Sequence, residues 1–137
     1  MADAIRKVEY FYVQAPNKPG VGASLLAELR SAGVNLLAFS GFPSGRGAQI
    51  DFVPENPAAF RAAARRAKWK VVGPKRAFAI EGDDRPGAIA DILARLAAAR
   101  INVTAVDAAC AGAGRYGAIL WVAPRDVTRA ARVLGAG

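Results

Sequence analysis

Two stretches, Asn17-Lys18-Pro19-Gly20 and Asp84-Arg85-Pro86-Gly87, repeat one pattern at an offset of 67 positions. In each, the Asn or Asp side chain can bond the backbone two residues on. Proline pre-sets φ for a turn or a first helical turn. Glycine removes the Cβ where the backbone must bend or let a bound group approach closely. No histidine occurs among the 137 residues, which removes the commonest general base and the commonest metal ligand. The single cysteine, Cys110, has no disulfide partner and no Cys/His cluster around it for zinc. No acid/base constellation is in evidence, so the expectation is a protein without catalytic activity, cofactor or metal. Cys110 reads as an inert small residue. The loop from Gly112 to Gly114 reads as a hairpin, because no helix follows it as a phosphate cradle would need.

The elements that must position the two turns repeat as well. Leu25, Leu26 and Leu29 fall on Ile92, Leu93 and Leu96, and Val34-Asn35-Leu36 falls on Ile101-Asn102-Val103. Fixed self-similarity of this length marks a duplicated structural unit. Each copy reads as an apolar strand, the Asx-x-Pro-Gly turn, a helix with its apolar residues at i, i+3 and i+4, and a strand opening with an apolar-Asn-apolar triplet. In the first copy the predicted elements are a strand over 7–14, a helix to about Ala32, strands over 34–42 and 47–53, a helix started by Asn56-Pro57, and a short strand over 68–72. In the second strand, Val34, Leu36 and Ala38 are expected to face the helices, and Asn35, Leu37 and Phe39 the other way. Gly73-Pro74 reads as a linker, which divides the chain into units over 1–73 and 74–137. The second copy runs strand, helix over about 86–99, strands over 101–110 and 116–123, and a helix from Asp126 to Leu134, after which it has no final strand of its own.

With 53% hydrophobic and 22% charged residues the chain can bury a core and is not of disordered composition. Nothing at its start resembles a signal peptide, and no apolar run approaches a membrane span. A cytoplasmic location without membrane contact is expected. The net charge of +8 is concentrated in seven basic residues from Arg61 to Arg76 with no acid among them, read as a solvated face rather than a phosphate track.

Taken together, the element order and the two Asx-x-Pro-Gly motifs in register resemble a tandem pair of ACT domains over nearly the whole chain. The resemblance implies an α+β fold of two ferredoxin-like βαββαβ units, with antiparallel sheets and helices on one face. It also implies a regulatory protein that binds a small molecule, typically an amino acid, near the strand–helix turn at a contact between two units. Carried onto this sequence, the ligand-binding residues are Asn17, Gly20 and Asn35 in the first copy and Asp84, Gly87 and Asn102 in the second. Their chemistry fits. Backbone N–H groups opening a helix suit a carboxylate, Asn can donate or accept, and ionised Asp accepts from an ammonium. The alternative is an RRM-like nucleic-acid-binding protein, which has the same element order and would stack bases on Tyr10, Phe11, Tyr12 and Trp121. Asp51 on a central strand and the poor fit of the stretch from Arg115 to Val122 to the RRM pattern weigh against it, so nucleic acid is not expected as a partner.

Two features ask for cover. The second copy's first strand lacks the usual neighbour, and an open row of backbone groups is generally covered. The strand over 68–72, or a partner chain, is expected to fill that place. Ile119 and Trp121 make the second sheet apolar on its outer face. A homodimer that buries Trp121 is expected from both.

Overall fold

The computed structural model describes residues 3–136. Six strands and four helices alternate along it: β1 (Ala4–Ala15), α1 (Val21–Ser31), β2 (Leu36–Ser44), β3 (Gly47–Pro54), α2 (Pro57–Arg66), β4 (Val72–Asp83), α3 (Ala88–Ala98), β5 (Val103–Gly112), β6 (Arg115–Val122) and α4 (Val127–Leu134). The strands follow the order β2-β3-β1-β4-β6-β5. The sheet is antiparallel, and the fold is α+β with two ferredoxin-like halves, as the resemblance implied.

The sequence repeat and the compact unit in space have different bounds. One unit is the continuous stretch Glu9–Lys75; the other joins Met1–Val8 to Arg76–Gly137. We call them the inserted and the split unit. The inserted unit packs α1 and α2 on β1 and β3 through Phe11, Val13, Leu29, Ile50, Phe52 and Phe60. Phe60 stacks on Phe11 at 4.8 Å between ring centroids, and Trp69 stacks on Phe52 at 5.8 Å. The α2 start is as the sequence implies: the Asn56 side chain accepts from Ala59 N at 3.1 Å and Pro57 opens the helix. The split unit packs α3 and α4 on β4 and β6 through Phe78, Ile80, Ile92, Leu96, Leu120 and Leu134, with Ile5 of β1 against the same core.

Several expectations are corrected. No strand covers 68–71; β4 begins at Val72 and runs unbroken to Asp83 through Gly73-Pro74, a cis peptide. Gly73 makes this possible, because a Cβ there would stand 2.9 Å from Tyr10 O and from the Phe11 ring. Trp69 leaves the chain trace to enter the core rather than pairing in a ladder. The place expected for strand 68–72 in the second copy is taken instead by the first half of β1, which belongs to the split unit and neighbours β4. A sequence duplication that lost its last strand is thus completed by the chain's own beginning.

The facing of β2 is corrected too. Leu36 pairs with Pro54 but Ala38 with Val53, a β-bulge that leaves one residue extra and exchanges the faces beyond it. Phe39 therefore lies opposite Phe52, on the helix side, with ring centroids 5.6 Å apart. The same bulge recurs in β5 between Val103 and Ala105. Leu26, expected on the buried stripe of α1, is exposed, while Leu29 is fully buried. Finally, Trp121 and Ile119 are 7% and 6% exposed within the single chain, so their cover does not require a second one.

Candidate functional site

In the inserted unit the turn follows the end of β1 at Ala15. Gly20 sits at φ 90, the left-handed region that glycine adopts without strain, and stands as N-cap of α1. No side chain caps that helix and no acid lies in its first turn. Val21 N donates to Lys18 O at 3.5 Å, and the next N–H groups and the partial positive charge of the helix start remain available to an anion. Asn17 and Gly20 are both exposed.

Asn35 is found at the other end of α1. The helix has 11 residues, about 16 Å at 1.5 Å per residue. Asn17 precedes it and Asn35 follows it, so one unit does not bring the two to one small ligand. Asn35 instead lines an open cleft of about 400 Å³ with Leu26, Leu29, Arg30, Gly33, Val34 and Leu36. Its carbonyl accepts from Glu55 N at 2.9 Å, and its Nδ2 donates to Glu55 Oε2 at 3.4 Å. Arg30 and Glu55 thus place a cation and an anion beside the amide. Sequence reasoning missed both. Arg30 lies in the last turn of α1, where a basic residue is common for helix reasons alone. Glu55 reaches Asn35 only because β2 and β3 pair.

The split unit builds its turn differently. Gly87, at φ 73, is the uncapped start of α3, but Asp91 stands in the first turn of that helix. Asp84 N donates to Gly114 O at 2.8 Å. Its carboxylate faces the Cys110 thiol, and that hydrogen bond, with the charge, raises the thiol pKa, which makes the thiolate scarcer and the cysteine less reactive. Asn102 is exposed just before β5. The neighbour of Asp84, Arg85, donates to both oxygens of Asp3 at 3.2 Å each.

Two of the four aromatic residues of the RRM-like alternative are withdrawn from any stacking surface, and Tyr10 and Tyr12 are half-buried. Phe11 is fully buried and Trp121 nearly so. Tyr12 lies under the Lys75 ammonium, 5.5 Å from its ring centre, and Asp51 is buried beside Gln49. The basic residues Arg61, Arg65, Arg66, Lys68 and Lys70 are exposed on and after α2. Among the described residues no group of three or more His, Cys, Asp or Glu could hold a metal ion, and no helix is long and apolar enough to cross a membrane.

The sequence matches no family model and no curated protein sequence. Solved structures do share its fold. A protein of Bacteroides thetaiotaomicron superposes with a TM-score of 0.76 at 17% identity, covering 97% of this chain and 88% of that one. The ligand-free regulatory subunit of aspartate kinase from Thermus thermophilus gives 0.66 at 15% identity, over 98% and 95% of the two chains. The corresponding subunit from Thermus flavus gives 0.60 at 14%, over 98% and 94%. At these identities the likeness is one of fold.

Proposed function

We propose that this chain is a non-catalytic regulatory protein of two ACT-like units that binds a free amino acid, and that the site is completed across two copies of the chain. The observation that carries this reading is the separation of Asn17 and Asn35 by the length of α1, combined with the open edge of β2. β2 is the outermost strand on its side of the sheet. Its last residue, Ser44, pairs with Gly47, and Gly47 lies tightly against Ala15 and Pro16. The end of β2 and the Asn17 turn are therefore at the same end of the inserted unit, and Asn35 is at the other. An antiparallel pairing of β2 with β2 of a second copy sets each Asn35 beside the partner's Asn17 turn. It also covers Phe39 and Phe42, exposed at 42% and 43%, and closes the ladder edge.

In the composite site the ligand carboxylate faces the uncapped start of one α1. Its ammonium faces Glu55 and the Asn35 carbonyl side of the other copy, and its side chain enters the cleft over Leu26, Leu29 and Leu36. The fold shared with aspartate kinase regulatory subunits supports a regulatory role, and the single cysteine fits a cytoplasmic setting. The test is complementation. Asn17→Ala and Asn35→Ala chains, each unable to bind, are mixed and titrated calorimetrically with the amino acid that raises the wild-type Tm. Mixed dimers regain one intact site, so binding returns in part. No shift from a full amino-acid panel, or no recovery on mixing, defeats the reading.

A further inference from the structure

We propose that the split unit holds a second carboxylate site, built on the Arg85 guanidinium, and that the chain occupies it with its own Asp3. Arg85 is the second residue of the Asp84-Arg85-Pro86-Gly87 turn. Its Nη1 and Nη2 donate to Asp3 Oδ1 and Oδ2 at 3.2 Å each, the paired geometry in which arginine recognises a planar carboxylate. Nη1 also donates to Asp83 O at 2.8 Å, which holds the fork in place independently of Asp3. The Asp3 side chain is 8% exposed although it stands before the first strand.

Two further features make this a built site rather than a surface ion pair. Gly82 provides the space: a Cβ there would overlap the Asp3 carboxylate and stand 2.9 Å from Tyr116 Cε1. At the 67-residue offset the first copy has Ala15, so this room belongs to the second copy alone. Tyr116 provides a second donor, which Asp3 engages only weakly. It is 5% exposed, and its buried hydroxyl, which faces Asp3, completes no hydrogen bond of good geometry. Buried polar groups are rarely left so. A free carboxylate in the place of Asp3 would meet Arg85 and Tyr116 together. Lys18, the counterpart of Arg85, is exposed and has no fork to offer. The two copies are thus unequal: the first turn is open, and the second is closed by its own chain. The site stands on this geometry. Its consequence for stoichiometry, one amino acid per chain rather than two, rests on the reading given above.

The probe is formate, the smallest carboxylate. The Asp3→Ala chain keeps its strands, because β1 pairing starts at Ala4 or beyond. Its thermal unfolding is followed in sodium formate and in sodium chloride of equal ionic strength. Formate is expected to raise its Tm above the chloride value by roughly 3 °C. It should leave the wild type unmoved, and the gain should vanish in Asp3→Ala/Arg85→Lys. The ultraviolet titration of Tyr116 in the Asp3→Ala chain should move upward with formate alone. A variant that answers formate and chloride alike, or a wild type or double variant that gains as much, overturns the proposal. An amino-acid panel that fails on the wild type would sink the ligand reading and leave this result untouched.

Discussion

Two aspartates show how the same side chain is tuned in opposite directions. Asp3 is held below the ordinary carboxylate value of 3.8, first by its bonds to Arg85 and then by Tyr116 and the charge of Arg95, against the opposing effect of burial. A depressed folded value means the pair stabilises the fold above the unfolded pKa, about 4, and loses that contribution as pH falls through the folded value. Asp3→Asn should therefore unfold at lower temperature than the wild type at neutral pH, and the two melting curves should converge in acid. Asp51 is the reverse case. Burial raises its pKa, opposed by the 2.9 Å bond from Gln49 and by the charge of Lys75, while Tyr10 faces it with a pKa that burial and Asp51 raise. A raised folded value means the charged form is disfavoured by the fold, and the cost is present above the folded pKa and absent below the unfolded one. Asp51→Asn, which keeps an acceptor for Gln49, should melt at a higher temperature than the wild type at pH 7. Its advantage in Tm should disappear as the wild-type carboxyl is protonated.

At the scale of elements, the bulge in β2 decides what the edge offers. Without the extra residue at Leu37, Phe39 would share a face with Val53. With it, Phe39 lies opposite Phe52, and part of its ring stays open at the rim of the helix layer. Phe42 follows on the same exposed edge. The other edge strand, β5, carries Thr104, Ala105, Asp107, Ala108 and Ala109, all exposed and none large and apolar. The proposed pairing of copies therefore uses β2 and not β5. Phe42→Lys places a charge on that edge, a common way of blocking strand addition. Light scattering should then report a monomer, and amino-acid binding should be lost, with the circular dichroism unchanged. A dimer of unaltered mass would exclude the β2 edge as the contact.

For the whole molecule, the two compact units differ in how the chain supplies them. Glu9–Lys75 is continuous and owns its core, whereas the split unit draws on both ends of the chain, Ile5 included. A fragment spanning 9–75 should fold alone, with dispersed amide resonances and a cooperative melt. A fragment spanning 76–137 should fold only when a peptide spanning 3–8 is present, because β4 otherwise lacks the neighbour that β1 gives it. A 76–137 fragment that melts cooperatively without the peptide would show β1 to be dispensable there.

The sequence alone determined the local terms. The 67-residue repeat, the Asx-x-Pro-Gly turns, the Asn56-Pro57 helix start and the apolar stripes of α1 and α3 are set by φ preferences, capping bonds and periodicity within a few residues of each other. They were enough to give the element order apart from the short strand over 68–72, and the missing final strand of the second copy; the ferredoxin-like class came with the resemblance to ACT domains. Tertiary structure decided what depends on residues far apart in the chain. The first half of β1 replaces the missing strand, since pairing is set by which edge is unfilled rather than by sequence proximity. The β2 bulge turns Phe39 to the helix side through a pairing mismatch that period-2 reading does not contain. Glu55 meets Asn35 across a hairpin, and Asp3 meets Arg85 across 82 positions. Neither contact has a local signature, because a side-chain pair of that separation is specified only once the backbone between its members has folded.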